Sequence, residues 1–494
     1  MRKVMFSLAL LGLLWACKPA TAEPEEPAGD PSETPATPSE EPSPEPSEEP
    51  SEEPVDPVVD FSNAKLQNFL LASYDSNGDG ALTESELARV EELVLWTRAS
   101  DGSASGESLT SLKDIDKLVN LKVLDARYNM LTVVNLEHCP SLKTAILSYN
   151  RLSKLVPAPS LERLDCSHNV MGALDLEACP DLLWLDCGEN KLKALDISGL
   201  TRLEYLGAYN NKLTALEVPQ SLTQLDCYTN QITRLSLPAG LRSLNASYNQ
   251  LTALDLSSCP AIEAVYVSGN ALTSLDAGGH AALRALACDS NALTELRLGG
   301  CSALRFLEAW SNQLTDLDLS GLAALEMAGV SMNRLGSLNV EGCRGLRSLF
   351  CQDNALAALD IRSCTALENL YAHQNGLTAI DLSQNARLRG LRLSDNSLTA
   401  LDLSGLPALK AMYCTGNPDL QEIRISPETD LEAVFWYKDE SAHYTPYLNN
   451  DEMYPCHAGF GPGDRRHRPT PDESGSPRPF AREPRPGRGQ HPCL

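Results

Sequence analysis

Asparagine recurs along most of this chain at positions 129, 150, 169, 190, 211, 230, 249, 270, 291, 312, 333, 354, 375, 396 and 417. Of the fourteen steps between them, eleven are 21 residues and three are 19. One unit of that size cannot bury its own apolar face, so a period held this strictly means units stacked on one another. The chain is therefore expected to be a solenoid, and its function narrows to what a long repetitive surface does. That is binding far more often than catalysis.

One unit runs Leu182, Leu185, Cys187, Asn190, Leu192, Leu195 and Ile197, and the next repeats it as Leu203, Leu206, Ala208, Asn211, Leu213, Leu216 and Val218. Written as LxxLxCxxNxLTxLDLSxCxx, the unit resembles the leucine-rich repeat family, especially its bacterial 21-residue class. The alternation around each LxC and each LDL predicts two short parallel strands per turn on opposite faces of the coil. The fold class is thus a mostly β repeat solenoid. The asparagine is assigned to structure, as an amide serving backbone groups at a turn. The three 19-residue units share a proline near the shortened turn, at Pro157, Pro219 and Pro238. The solenoid spans 107–447, with Leu109, Leu112 and Ile115 as a leading turn and Leu420, Ile423, Ile425, Leu431, Ala433, Phe435 and Trp436 closing the far end.

Fifteen cysteines would ordinarily suggest a disulfide framework in an exported chain. Here six lie three residues before a ladder asparagine (Cys166, Cys187, Cys227, Cys288, Cys351, Cys414) and six lie ten after one (Cys139, Cys179, Cys259, Cys301, Cys343, Cys364). Two repeat columns read as small buried hydrophobes. A bridge between stacked neighbours such as Cys166 and Cys187 is the alternative.

The chain opens with Arg2, Lys3 and an apolar run to Trp15, too short to span a bilayer, which marks 1–16 as a signal peptide. Leu14-Trp15-Ala16-Cys17 resembles a bacterial lipobox, which implies lipidation of Cys17, although Trp15 departs from the smaller residue usual there; an ordinary signal peptide cut nearby is the alternative. Between Pro19 and Asp60 there are fourteen Asp or Glu, twelve Pro and no Lys or Arg, over half of the net charge of −26. Residues 17–60 are read as an acidic, proline-rich tether that cannot bury a core. An acidic chain without a basic stripe argues against nucleic acid as a partner.

Residues 61–106 are read as a helical cap built on an EF-hand-like loop, Asp75 to Glu86. Oxygens from Asp75, Asn77, Asp79, the Ala81 carbonyl, Thr83 (usually through water) and Glu86 fall where a hard cation such as Ca2+ needs them, and Gly80 allows the sharp turn. Leu66, Phe69, Leu70 and Tyr74 mark the incoming helix. Thr83 with Glu86 forms a capping box ahead of Leu87, Val90, Leu93 and Val94, which predict an outgoing helix. The alternative is a metal-free helix connection; a dockerin module usually carries two such loops, and one is seen.

Four positions in each LxxLxCxxN segment face outward, at one, two, four and six residues before the asparagine. All thirteen Phe, Trp and Tyr residues between Lys117 and Pro418 occupy them: Tyr128, Tyr149, Trp184, Tyr205, Tyr209, Tyr228, Tyr248, Tyr266, Phe306, Trp310, Phe350, Tyr371 and Tyr413. Strand propensity and stacking between turns explain enrichment, but not why one strand face receives every ring. The stripe is read as a binding surface, with His168 and His373 as contacts and Asp125, Asp165, Asp186, Asp226, Asp289, Glu308 and Asp353 as polar rims. It suits a protein partner or an extended glycan.

No GxSxG, HExxH, GxxxxGK or dinucleotide fingerprint is present, and the chain is read as a non-enzyme. Carboxylate pairs such as Asp165 and Asp186 leave a glycan-active enzyme as a remote alternative. Residues 448–494 turn to Pro, Gly and Arg and are expected to lack structure. Such a basic tail would touch anionic polymer, and a frameshifted reading would give the same composition. The whole resembles the leucine-rich repeat surface lipoproteins of Bacteroidetes and, more loosely, internalin-type adhesins. That resemblance implies adhesion or host-protein binding; the chain is read as a monomeric cell-surface or outer-membrane protein that meets the membrane only through a lipid anchor, and glycan capture for a polysaccharide uptake system is the second reading.

Overall fold

The computed structural model describes residues 56–95, 108–426, 435–438 and 442–446. The chain divides into units 1–55 and 56–494, and the described residues belong to the second. The signal segment, Cys17, most of the tether, Leu431, Ala433 and the tail beyond 447 lie outside them.

Every LxC segment forms a three-residue strand, and seventeen such strands, counting the end segments, make one parallel sheet from Glu92–Val94 to Phe435–Tyr437. Successive turns superpose without slippage: Leu164 pairs with Leu185, Leu185 with Leu206 and Leu206 with Leu225. A slip of one residue would turn the core leucine out to solvent, so the pattern itself locks the register. These leucines are fully buried in one continuous core with the second-half leucines, such as Leu192 and Leu213. Each contributes about 1.5–3 kcal/mol by leaving water.

The second strand is less regular than the repeat predicts. Nine such segments form four small sheets of two or three strands, and the LDL segments from Leu174 to Leu256 carry no strand. Pro219 and Pro238, just after two of the missing segments, have no N–H to donate to a neighbouring turn.

Between strand and asparagine the chain makes one unusual turn. The residue just before each ladder asparagine has positive φ throughout the solenoid, including Tyr128, His168, Glu189 and Thr229 at 52–56°. Left-handed backbone costs a non-glycine residue roughly 1–2 kcal/mol, and the asparagine offsets it. Asn190 Nδ2 donates to Cys187 O in its own turn at 3.1 Å and to Cys166 O in the preceding turn at 3.0 Å, while its Oδ1 accepts from Met171 N at 3.0 Å. The ladder begins at the cap, where Asn129 reaches Leu95 O at 3.2 Å and accepts from Leu109 N at 2.8 Å. Thr229→Gly is expected to raise unfolding free energy by about 1 kcal/mol, measured by urea titration, because an exposed β-branched residue is forced into the left-handed region.

All twelve described cysteines are buried free thiols. The column after the asparagines is more than apolar filling. Cys179, Cys301 and Cys343 donate their thiols to carbonyls of preceding turns at 3.0–3.3 Å, and His280 and Asn385 take the same place with ring or amide nitrogens 2.9–3.1 Å from carbonyls.

At the amino-terminal end, helix α1 (Ala64–Tyr74) leads into the Asp75 loop and helix α2 (Glu84–Leu87) leaves it. The capping box of Thr83 and Glu86 forms as read. The outgoing helix is only four residues long, which corrects the expectation that it runs on through Leu93 and Val94. Those two lie on strand β1 (Glu92–Val94), which pairs with Val123–Asp125 and opens the main sheet. A capping box marks where a helix starts and carries no information about its length. Pro57–Val59, assigned to the tether, pairs with the loop exit through a Val58–Thr83 bridge and a Val59 N to Leu82 O bond of 2.8 Å. Asp114 fastens the cap to the solenoid, accepting from Ser62 N, Ser62 Oγ and Asn63 N at 2.7–2.9 Å. Leu109, Leu112 and Ile115 bury beneath it as the leading turn.

Candidate recognition face

The first strands put their two outer residues on the open side of the sheet, and each turn adds two more before its asparagine. None of the thirteen stripe aromatics is buried; each is partly or fully exposed on this face. They meet across adjacent turns: Tyr128 on Tyr149 (4.6 Å), Tyr149 on His168 (4.0 Å), Trp184 on Tyr205 (4.8 Å) and Tyr209 on Tyr228 (4.9 Å) are stacked, and Phe350 meets Tyr371 edge-on. Tyr248 lies flat over Gly269, where any Cβ would come within 2.6 Å of its ring. Three cations join in, one of them Arg305 at 5.6 Å over Phe306. Arg163 sits 3.5 Å over Trp184, and Arg392 lies between Tyr371 and Tyr413 at 4.5 and 4.9 Å.

Ring faces covered by neighbouring rings are not free to stack on anything else. What those turns present outward is ring edges, hydroxyls and the carboxylates between them, while Tyr128, Tyr149 and Tyr248 remain 38–47% exposed. Sequence reasoning missed Met332 and Tyr437, which extend the apolar surface at 52% and 51% exposed. Tyr437 stacks on Tyr413 at 4.7 Å. It lies 24 residues further on, off the 21-residue step that guided the reading.

The carboxylates here are crowded. Burial, then Asp165 and Asp226 nearby, push the Asp186 carboxyl up to about 7, and burial with Asp289 pushes Glu308 to about 7. Burial raises Asp226 and Asp289 too. A second pattern escaped the sequence reading: seven residues before the asparagines, charges pair across turns along the sheet edge, as in Lys143–Glu162, Arg242–Glu263, Arg305–Glu326 and Arg347–Glu368 at 2.5–3.2 Å. Exposed as they are, each contributes at most about 1 kcal/mol.

In the Asp75 loop, Gly78 and Gly80 have φ of 72° and 80°. Asp75 accepts from both their N–H groups at 2.7 and 3.0 Å, Asn77 Oδ1 from Asp79 N at 2.9 Å, and Asp79 Oδ1 from Ala81 N at 2.8 Å. Buried Glu86 accepts from Ser76 and Thr83, whose backbone N–H groups hold its carboxyl down at about 2. The donor set of three carboxylates, an amide and a carbonyl is all oxygen, as a hard cation requires, and its oxygens are held by the loop's own N–H groups. Among the described residues no three acidic, His or Cys side chains converge as ligands.

Solved structures share this architecture. The functional domain of InlJ from Listeria monocytogenes, which includes a cysteine ladder, is 27% identical over 74% of this chain and 75% of its own, with a TM-score of 0.55. YopM from Yersinia enterocolitica is 26% identical over 78% of this chain and 100% of its own, with a TM-score of 0.51. The fold is a leucine-rich repeat solenoid. No family model and no curated protein matches the chain.

Proposed function

We propose that this is an exported, lipid-anchored surface protein that binds a protein partner on its aromatic face, with Cys17 as the lipidated residue and the acidic segment as spacer. The likeness to InlJ of Listeria monocytogenes and to YopM supports a recognition role for a solenoid of this kind. The single observation that favours protein over glycan is the pairing of rings across turns, which covers the faces a sugar would stack on and offers edges, hydroxyls and carboxylates. Partner capture by the purified chain is expected to fall at least tenfold in the W184A/Y205A/W310A variant, since aromatic anchors carry about 2 kcal/mol or more of binding energy each. Undiminished capture would move the site to another face, and glycan binding without protein capture would favour the polysaccharide reading.

The cap adds a calcium site in this proposal. Asp75, Asn77, Asp79, Glu86 and the Ala81 carbonyl would hold Ca2+, with Thr83 acting through water, and the ion would cross-link α1 to α2 without switching a conformation. Millimolar calcium is expected to raise the melting temperature of the chain and not that of Glu86→Gln, read by scanning calorimetry; equal shifts in both would remove the site.

A further inference from the structure

The exit of the Asp75 loop is paired with a segment that precedes α1. Val58 stands opposite Thr83 in an antiparallel bridge. On either side of that bridge Val59 N donates to Leu82 O at 2.8 Å and Glu84 N donates to Pro57 O at 2.9 Å. Pro57 has no N–H with which to extend the ladder, and pairing passes to a side chain: Ser85 N and Oγ donate to Asp56 at 3.2 and 2.5 Å. Val59 packs partly buried against the core, while Val58 is 59% exposed.

Backbone groups of successive residues in an extended strand point to opposite edges. Leu82 gives its carbonyl to the segment, so Ala81 turns its own to the other edge, into the loop. Two bonds mark that inner edge: Ala81 N donates to Asp79 Oδ1 at 2.8 Å, and Thr83 N donates to Glu86 Oε2 at 3.1 Å. Ala81 and Thr83 are both among the residues proposed above to hold calcium. Their aim is therefore set from outside the loop.

The same segment is fastened to the solenoid at its other end. Asp60 O accepts from Lys117 Nζ, whose ammonium lies 5.0 Å over the Phe61 ring, and Asp114 accepts from Ser62 N and Asn63 N. Residues 56–63 thus run as a strap from the loop exit to the leading turn. Composition hides the strap, because Asp56, Pro57 and Asp60 look like the acidic, proline-rich spacer.

We infer that the strap is a working part of the calcium site: Pro57–Val59 hold the strand that aims the Ala81 carbonyl and Thr83, and the ion in turn holds the strap to the head. The inference rests on the calcium reading proposed above, and it adds the segment by which the spacer joins the folded head. Coupling of this kind is reciprocal, so whatever the strap adds to ion affinity the ion returns to the strap. It runs through hydrogen bonds and needs no change of conformation.

The test follows both directions in the full chain. Calcium affinity, measured by titration calorimetry, is expected to fall at least about fivefold in Val59→Pro, which removes the donor to Leu82 O, since one hydrogen bond carries about that factor. Val59→Ala keeps the N–H and is expected to bind within about twofold of wild type. In the other direction, calcium is expected to slow hydrogen exchange across 56–59, read by mass spectrometry, in wild type and not in Glu86→Gln. Unchanged thermal unfolding of the solenoid in Val59→Pro shows that a loss is not misfolding, and the exchange measurement on wild type needs no strap variant. Equal affinity in wild type and Val59→Pro, or exchange across 56–59 indifferent to bound calcium, would overturn the inference and leave the calcium site standing. No heat of binding and no calcium-dependent shift in melting temperature would remove the site and the coupling together.

Discussion

Asn190→Ala is expected to lower the unfolding free energy by about 3 kcal/mol or more and to broaden the urea transition. The substitution leaves Met171 N without its acceptor and removes one of two amide donors from the Cys166 and Cys187 carbonyls, which keep Asn169 Nδ2 and Asn211 Nδ2, in a site where Asn190 is 8% exposed. The buried donor left unsatisfied costs about 1–3 kcal/mol, and each bond lost from a carbonyl that keeps another donor costs about 0.5–1.5 kcal/mol. Two of the three belong to the preceding turn, so the variant also weakens the joint between turns. In a stack whose cooperativity depends on nearest neighbours, a weakened joint lets the two sides unfold separately. Paired with Thr229→Gly, which acts on the same type of turn in the opposite direction, the experiment separates the amide's hydrogen bonds from general sensitivity at the bend. A loss under about 1 kcal/mol would mean that water replaces the amide, and the ladder would not hold the turns.

Stability is expected to peak in mildly acid solution and to fall between pH 5 and 8. Asp186 and Glu308 titrate near 7 in the folded chain, above the ordinary carboxyl range. A carboxyl raised on folding binds its proton more tightly in the native state, so native stability declines as pH rises from the unfolded value near 4 to the folded value near 7. Glu86 and Asp114 act on the other side. Backbone donors hold Glu86 at about 2; burial pulls Asp114 up, but the Ser62 and Asn63 donors outweigh it and hold it at about 2. Their contribution is present above about pH 4 and is lost as pH falls toward 2. Relief of the −26 net charge on acidification works in the same direction as the raised pair. The D186N/E308Q variant separates the two effects: its melting temperature is expected to rise at pH 8 and to vary less between pH 5 and 8 than that of the wild type. A slope equal to the wild type's would show that neither carboxyl titrates in that range.

Much of the fold was legible because a 21-residue step reports every turn at once, and the position of each core leucine follows from it. The columns of asparagine, cysteine and aromatic residues lie where their spacing placed them. The left-handed residue before each asparagine left no trace in composition, since Tyr, His, Glu, Thr and Ser fill that position and glycine, the usual signal, is rare there. The short second helix and the broken second-strand ladder were also hidden, because both depend on what the segment packs beside. Strand β1 belongs to the main sheet through pairing with Val123–Asp125, a contact that no local pattern announces. At the candidate face the residues were found and their mutual geometry was not. Column membership tells which rings lie on one side; it does not tell that Trp184 and Tyr205 cover each other, or that Gly188 and Gly207 are the floor on which Tyr209 and Asp186 rest.

Site-specific photocrosslinking in the full chain tests the central claim most directly. A photoreactive residue at Gln224, beside Tyr205 on the first-strand face, is expected to trap the partner, while the same residue at Glu295 on the second-strand side traps none. Trapping from Glu295 with none from Gln224 would contradict the assignment of recognition to the aromatic face.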